Sequence, residues 1–268
     1  MELKIISTEN KEVGNKKLPA QFSEPVRPDL IKRAVLSVQS NDRQQYGADP
    51  RAGKKYAAKL SRRRRDYKGA YGKGLSRMPR KTMTRRGMQM IFVGAFAPGT
   101  VGGRRAHPPV SARIFAQRMN DKERKKAIRS ALSAVVDKEM VAKRGHRIPA
   151  SYPFIISNDV EALDKTQKVV ELLEKLGLKD ELSRSSVRKV RAGVGRLRGR
   201  HYKHVTGPLL VVSSKCKVEI SAKNVPGLDV VEVSRLNAEL LAPGTMPGRL
   251  TIFTQAAVEK MDKEKLFM

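Results

Sequence analysis

The stretch Pro208-Leu209-Leu210-Val211-Val212-Ser213 decides the fold, because it places large aliphatic residues side by side without a polar interruption. Such a run is typical of a strand buried on both faces, since a half-exposed strand alternates apolar and polar residues. Similar apolar runs lie at 153–157, 230–233 and 250–253. Segments with helical periodicity lie between and after them. We therefore predict an α/β fold in which helices sandwich a mainly parallel sheet.

The remaining regular elements are predicted from periodicity and end signals. We expect a hairpin near the N-terminus, with strands at 3–6 and 17–22. Asn120 can cap a long helix that Gly145 follows, and Gly177 ends another. The predicted helices span 25–41, 121–143, 159–176, 234–241 and 254–267.

The composition predicts an anionic partner. Lys and Arg number 56 against 26 acids, which gives a net charge of +30 and a pI near 10.6. So large an excess repels itself unless an anion neutralises it, and nucleic acid is the commonest such anion. An acidic membrane face or an acidic protein would also serve. The chain has no Trp and only 5% aromatic residues, which favours contacts to phosphates and to RNA shape over base stacking.

The sequence disfavours several classes of protein. A single cysteine, Cys216, allows neither an internal disulfide nor a cysteine-based metal site. No run of about 18 apolar residues predicts a membrane span, and the first residues lack the apolar core of a signal peptide. We predict a protein of the reducing cytoplasm, with no membrane partner and no cofactor.

The charge is concentrated in residues 43–118, which hold 20 Lys or Arg, 2 acids and 10 of the 20 glycines. This stretch cannot bury enough apolar surface to offset the entropy of ordering itself. We predict three parts: residues 1–42 begin a globular α/β domain, residues 43–118 form a long basic glycine-rich loop insertion, and residues 119–268 complete the domain. The insertion is expected to become ordered on a partner.

Four basic segments supply the candidate phosphate contacts, since guanidinium and ammonium groups bind phosphate oxygens. A solvated charge run, a localisation signal or a flexible linker are the structural alternatives for the first two segments. The candidates are Arg62, Arg63, Arg64 and Arg65; Lys68, Lys73, Arg77, Arg80, Lys81, Arg85 and Arg86, with Tyr67 and Tyr71 as stacking groups; Arg104, Arg105 and His107; and Arg191, Arg196, Arg198, Arg200 and Lys203.

Motifs for catalysis or cofactor binding are incomplete. Gly72-Lys73-Gly74 lacks the hydroxyl residue of a nucleotide phosphate loop, and Gly193-x-Gly195 follows a predicted helix where a dinucleotide loop follows a strand. His201-x-x-His204 lacks two further metal ligands, and His107 lacks a catalytic partner. We predict no catalytic residue and no metal site.

Short motifs run in order through most of the chain. They are Gly72-Lys73-Gly74, Arg77-Met78-Pro79-Arg80, Gly103-Arg104-Arg105-Ala106-His107-Pro108-Pro109, Asn120-Asp121-Lys122-Glu123-Arg124, Arg129-Ser130-Ala131-Leu132, Lys165-Thr166-Gln167, Ala192-Gly193, Arg198-Gly199-Arg200, Ala242-Pro243-Gly244 and Pro247-Gly248-Arg249-Leu250-Thr251. By these motifs the chain resembles the large-subunit ribosomal protein four family, in its archaeal form.

The resemblance implies a structural constituent of the large ribosomal subunit in the cytoplasm, and not an enzyme. It implies a globular domain on the outer side of the ribosome and a loop threaded into large-subunit rRNA, which the protein binds early in subunit assembly. The loop would be residues 43–118, with a tip near 73–86 in the wall of the polypeptide exit tunnel. Arg77, Arg80, Arg85 and Arg86 would contact rRNA or the tunnel wall.

The partners implied are large-subunit rRNA, neighbouring large-subunit ribosomal proteins and the nascent polypeptide at the loop tip, without homo-oligomerisation. The main alternative is an RNA-processing or nucleotide-using enzyme, because parallel sheets often bind nucleotides at their strand ends. A chromatin-type DNA-binding protein is a further alternative, which predicts comparable affinity for duplex DNA.

Overall fold

The computed structural model describes residues 1–66, 71–87 and 89–268. The chain divides into two compact units. The globular unit comprises residues 1–42 and 116–268, and the insertion unit comprises residues 43–115. Within the described residues, none of the helices has the length and apolar character needed to cross a membrane.

The described strands and helices follow one another along the chain, with single 3-10 turns between some of them. The strands are β1 Glu2–Ile6, β2 Glu12–Lys17, β3 Arg80–Arg86, β4 Gln89–Gly94, β5 Phe154–Ile156, β6 Arg188–Val190, β7 Tyr202–His204, β8 Leu209–Val212, β9 Asp229–Glu232 and β10 Thr251–Thr254. The α-helices are α1 Pro28–Asn41, α2 Asp121–Val136, α3 Lys138–Lys143, α4 Thr166–Lys175, α5 Lys179–Ser186, α6 Val194–Leu197, α7 Lys217–Ser221, α8 Ala238–Leu241 and α9 Gln255–Lys263.

The globular unit is built on a mainly parallel sheet with the strand order β2-β1-β5-β10-β8-β9. Neighbouring strands from β1 to β9 in this order run parallel, and β2 pairs with β1 in the antiparallel direction at the edge. The last strand of the chain, β10, lies in the middle of the sheet between β5 and β8. The predicted α/β class with a mainly parallel sheet is confirmed.

The core lies on both faces of this sheet, because successive residues of a strand point to opposite sides. Leu209 and Val211 pack on one face with residues of α1, α2, α8 and α9, whereas Leu210 and Val212 pack on the other face with residues of α4 and α7. All four residues of β8 are therefore buried. This two-sided burial explains the uninterrupted aliphatic run in the sequence.

Four predicted elements differ from the structure. The helix predicted over 234–241 is a 3-10 turn at Val233–Arg235 followed by the short helix α8. The hairpin returns through β2, an exposed edge strand without an apolar pattern, while residues 20–22 form a 3-10 turn that buries Phe22. The helix predicted over 121–143 is broken at Asp137, whose extended backbone lets its carboxylate accept a hydrogen bond from the Glu139 N–H and start a new helix. The helix predicted over 159–176 is likewise a 3-10 turn at Asn158–Ala162 followed by α4.

The insertion unit contains an antiparallel hairpin of β3 and β4, with a register shift between Thr82 and Thr84. The segment before this hairpin is called the outgoing arm, and the segment after it the return arm. The two arms run side by side away from the hairpin, as the hydrogen bond from Ala48 N to Pro109 O at 2.9 Å shows. Among its described hydrophobic residues only Ala95 is buried. A unit with so small an apolar interior gains little hydrophobic stabilisation of its own.

Candidate nucleic-acid interface

The insertion unit is cationic almost throughout. Its two acids, Asp49 and Asp66, each form a salt bridge with a lysine, at 2.9 Å to Lys55 and 3.3 Å to Lys59. The pKa of both carboxyl groups is lowered. The largest cause is the hydrogen bond from Lys55 for Asp49 and the hydrogen bond from Ser61 for Asp66, to which the Lys59 contact adds. The acids are therefore neutralised within the unit, and the other basic groups keep their charge for an external anion.

The run Arg62–Arg65 is exposed over its whole length. The Arg64 guanidinium lies 5.5 Å from the centre of the Tyr71 ring, and the Arg77 guanidinium lies 5.6 Å from the same ring. These cation–π contacts hold two arginines near one aromatic side chain while leaving them open to solvent. Tyr67 and Lys68, which were predicted to stack on bases and to bind phosphate, lie outside the described residues.

The β3–β4 hairpin and the turn that precedes it place their basic residues in different environments. Lys73 lies 5.6 Å from the Phe92 ring and Lys81 lies 4.2 Å from the Tyr56 ring. Arg80 donates to the Ser76 Oγ at 2.8 Å and to the Ser76 carbonyl, so its guanidinium holds the preceding turn. Arg85 donates to the Gly87 carbonyl at 3.1 Å, and Arg86 is exposed.

The return arm carries Arg104, Arg105 and His107. Arg105 and His107 are exposed, whereas Arg104 is half-buried. The backbone of Arg104 lies against Gly53, where an added Cβ would come within 2.4 Å of the Arg104 nitrogen. Gly53 also has a φ of +69°, so this close approach of the two arms depends on glycine.

The fourth basic segment, which contains Arg191–Lys203, forms a small hairpin on the globular unit, in which β6 pairs with β7 and α6 lies between them. Arg196, Arg198, Arg200 and Lys203 are exposed, and Arg191 is half-buried. His201 and His204 take part in no cluster of metal-binding side chains within the described residues. All the described candidates from Arg62 to His107 belong to the insertion unit, and those from Arg191 to Lys203 belong to the globular unit.

Buried charged groups beneath the globular surface were missed by sequence reasoning. Arg249 is only 1% exposed, donates to the carbonyls of Gly207 and Leu240 at 2.9 and 3.0 Å, and forms a salt bridge with Asp229 at 2.5 Å. Burial lowers its pKa, while the hydrogen bond that its guanidinium donates to the Asp229 carboxylate opposes the change. Nothing in the local sequence distinguishes Arg249 from an exposed arginine, because its partners come from distant segments.

A second buried network is centred on Glu181, which is fully buried. Its carboxylate accepts from Arg184 Nε at 2.8 Å, from His146 Nδ1 at 2.6 Å and from the Arg147 N–H at 2.9 Å. Burial alone raises the pKa of Glu181, but the hydrogen bonds from Arg184, His146 and Arg147 outweigh burial and bring it to about 2. Glu181 is therefore ionised, and the Nδ1 of His146 carries the proton.

The carboxyl edge of the sheet, where nucleotides bind in many α/β proteins, is filled by a side chain of the protein itself. Glu161 accepts hydrogen bonds from the Ser213 N–H at 2.9 Å, the Ser213 hydroxyl at 2.8 Å and the Thr254 hydroxyl at 2.7 Å. These donors at the ends of β8 and β10 could otherwise bind a phosphate. An internal carboxylate at this position opposes the binding of another anion.

Comparison with known proteins agrees with the family resemblance that the sequence motifs indicate. The family model described as "Ribosomal protein L4/L1 family" matches residues 16–264. The large ribosomal subunit protein uL4 of Nanoarchaeum equitans is 44% identical over 268 residues, which cover 100% of both chains. The protein of the same name from Halobacterium salinarum is 42% identical over 97% of this chain and 99% of its own. That of Archaeoglobus fulgidus is 40% identical over 97% of each.

Proposed function

The chain belongs to the ribosomal protein L4/L1 family, and we propose from this premise that it is a structural constituent of the large ribosomal subunit, bound to large-subunit rRNA. The predicted family resemblance to archaeal members is confirmed by the relatives. A ribosomal protein of this family works on the cytoplasmic ribosome and is structural rather than enzymatic. The alternative of an RNA-processing or nucleotide-using enzyme has no support in the relatives.

The observation that carries the binding mode is the contrast between the two units. The globular unit has apolar cores on both faces of its sheet, whereas the insertion unit has almost none and both its acids are already paired. Residues 43–118 therefore act as an extended segment threaded between rRNA helices, in which Lys and Arg displace counterions from phosphates. The globular unit contributes the Arg191–Lys203 segment as a second contact.

The finer assignments concern the insertion tip and its partners. Residues 73–86 lie in the wall of the polypeptide exit tunnel and meet the nascent polypeptide there. Met83 and Ile91 on the hairpin are 60% and 61% exposed, which supports contact with a passing chain of mixed composition. The protein binds rRNA early in subunit assembly, contacts neighbouring large-subunit proteins and forms no homo-oligomer.

Sedimentation of the tagged full chain from lysate tests the main assignment. The protein is expected to co-migrate with the large subunit and its rRNA at low and high salt. Migration as a free protein, or with DNA or unrelated RNA, would contradict the assignment.

A photo-crosslinking amino acid at Met83 tests the tunnel assignment in translating ribosomes. The matched control carries the same group at Val13, which is 66% exposed in the globular unit. Adducts with the nascent polypeptide are expected from position 83 alone. Equal yields from both positions would refute the placement of the tip.

A further inference from the structure

A basic surface pocket of about 380 Å³ lies on the globular unit beside the β6–β7 hairpin. It is lined by Arg147, Ser183, Arg184, Val187, Lys189 and Val205. The lining contains three cations and no acid. The carboxylate next to it belongs to Glu181, which already accepts hydrogen bonds from Arg184, His146 and the Arg147 N–H. The charges of Arg147 and Lys189 therefore remain available to an external anion.

Arg184 is held in position for binding. Its Nε and Nη2 donate to the two Glu181 oxygens at 2.8 and 2.5 Å, and Nη2 also donates to the Thr206 carbonyl at 2.8 Å. Both Nη1 hydrogens are left without a partner among the described residues. A guanidinium that is fixed on one side and open on the other loses little conformational entropy when it binds an oxyanion.

The pairing register of the β6–β7 hairpin is an independent indication that an anion binds here. Lys189 on β6 lies directly opposite Lys203 on β7, so the two ammonium groups stand on the same face of the hairpin. Like charges directly opposite each other in an antiparallel pair are destabilising. A phosphate between them would convert this repulsion into attraction.

We infer that Arg147, Arg184 and Lys189, with Lys203 at the rim, form a phosphate-binding pocket for the backbone of an RNA strand. The inference rests on the proposed function, because it takes the ligand to be an rRNA phosphodiester. Lys189 pairs with Lys203, the last residue of the exposed basic segment Arg196–Lys203, and this link to further cations argues for a polymer of phosphates over a single free anion. Its contact is separate from that of the insertion unit, since every lining residue belongs to the globular unit.

The test uses the full chain with the double substitution Arg147→Ala and Lys189→Ala, because both side chains are exposed. The matched control is Lys32→Ala with Lys122→Ala, which removes the same charge from exposed positions on α1 and α2. Binding to large-subunit rRNA transcribed in vitro is measured over a range of salt concentrations. The slope of log K against log salt is negative, and we expect it to become less steep by about 1 in the pocket variant and to stay unchanged in the control.

Acylation of lysines, read by mass spectrometry, locates the contact. Lys189 is expected to become protected in the complex with rRNA, whereas Lys122 stays reactive. Protection of Lys189 by inorganic phosphate alone, at the same ionic strength, would identify a site for small anions and overturn the RNA assignment. Protection in assembled subunits but not with rRNA would point to a neighbouring protein and overturn it equally.

Failure of the pocket and failure of the proposed function can be told apart. If the unsubstituted chain binds rRNA and the pocket variant shows the same affinity and slope, the pocket plays no part in binding and only the inference is lost. If the unsubstituted chain itself does not bind large-subunit rRNA, both are lost.

Discussion

Replacing Glu181 with Gln should destabilise the globular unit, because the substitution keeps the side-chain shape and removes the charge that several donors surround. The amide nitrogen of Gln would meet a donor from Arg184, His146 or Arg147 where the carboxylate now accepts. Arg184, whose side chain is 22% exposed, would lose its ionic partner. The same loss would free the guanidinium that lines the proposed phosphate pocket.

The magnitude follows from the pKa of Glu181, which falls from 4.5 in the unfolded chain to about 2 in the folded one. A pKa difference of one corresponds to about 1.4 kcal/mol, so the charge contributes about 3 kcal/mol to folding at neutral pH. Removing one partner of a buried ion pair typically costs about 3 to 5 kcal/mol. The two values agree, and we expect a loss of roughly 3 kcal/mol for Glu181→Gln at about pH 7.

The pH dependence has a definite sign. Because the folded pKa lies below the unfolded pKa, the stabilisation is complete above about pH 4.5 and is lost as the pH falls towards 2. The difference between the two proteins should therefore shrink over that window, while other acids titrate equally in both.

Urea denaturation followed by far-UV circular dichroism measures the effect, since the chain has no Trp for fluorescence. Glu171→Gln, at an exposed position on α4, is the matched control and should change stability by less than about 0.5 kcal/mol. A loss below about 1 kcal/mol for Glu181→Gln at neutral pH, or a difference that stays constant down to about pH 2.5, would refute the reasoning.

Other predictions concern the buried arginine, a strained glycine and the insertion unit. Arg249→Met should lower the free energy of unfolding by about 2 to 4 kcal/mol, because it leaves backbone carbonyls without donors; the exposed Arg235→Met should have little effect in the same urea titration. Gly248→Ala, at a φ of +90° with Met140 O within 2.8 Å of the added Cβ, should lower the melting temperature more than Gly244→Ala, which has a φ of +73° but open space; equal losses would show that the contact is unimportant. Amides of residues 43–115 should exchange rapidly with solvent in the RNA-free protein and become protected on rRNA, and uniform protection in the free protein would contradict the small apolar interior of that unit.

Much of the fold follows from the sequence alone, because burial on both faces demands continuous apolar residues. The stretch 208–213 was predicted to contain a strand buried on both faces, and its four aliphatic residues, Leu209–Val212, form β8 in the structure. The fold class follows from the same physical rule, and the concentration of charge in residues 43–118 is a count of residues. The β2 strand was missed because an exposed edge strand needs no apolar pattern, and the break at Asp137 was missed because a side-chain cap can interrupt a helix whose apolar periodicity continues.

The individual contacts of the basic residues remain predictions, since affinity for phosphate depends on a partner as much as on the residue. Arg80 shows that the residue type alone does not determine what a side chain binds. The sequence predicts that Arg80 contacts phosphate, whereas in the structure its guanidinium donates hydrogen bonds to Ser76 and holds that turn.

What only the tertiary structure decides is which distant residues come together. The position of β10 between β5 and β8 is a property of the sheet order. Arg249 is buried because carbonyls from other segments replace its hydration, and Glu181 keeps its charge because His146, Arg147 and Arg184 converge on it. Local patterns record which apolar residues must be buried. They do not record the partners that make burial of a charge tolerable, because those partners are set by the path of the whole chain.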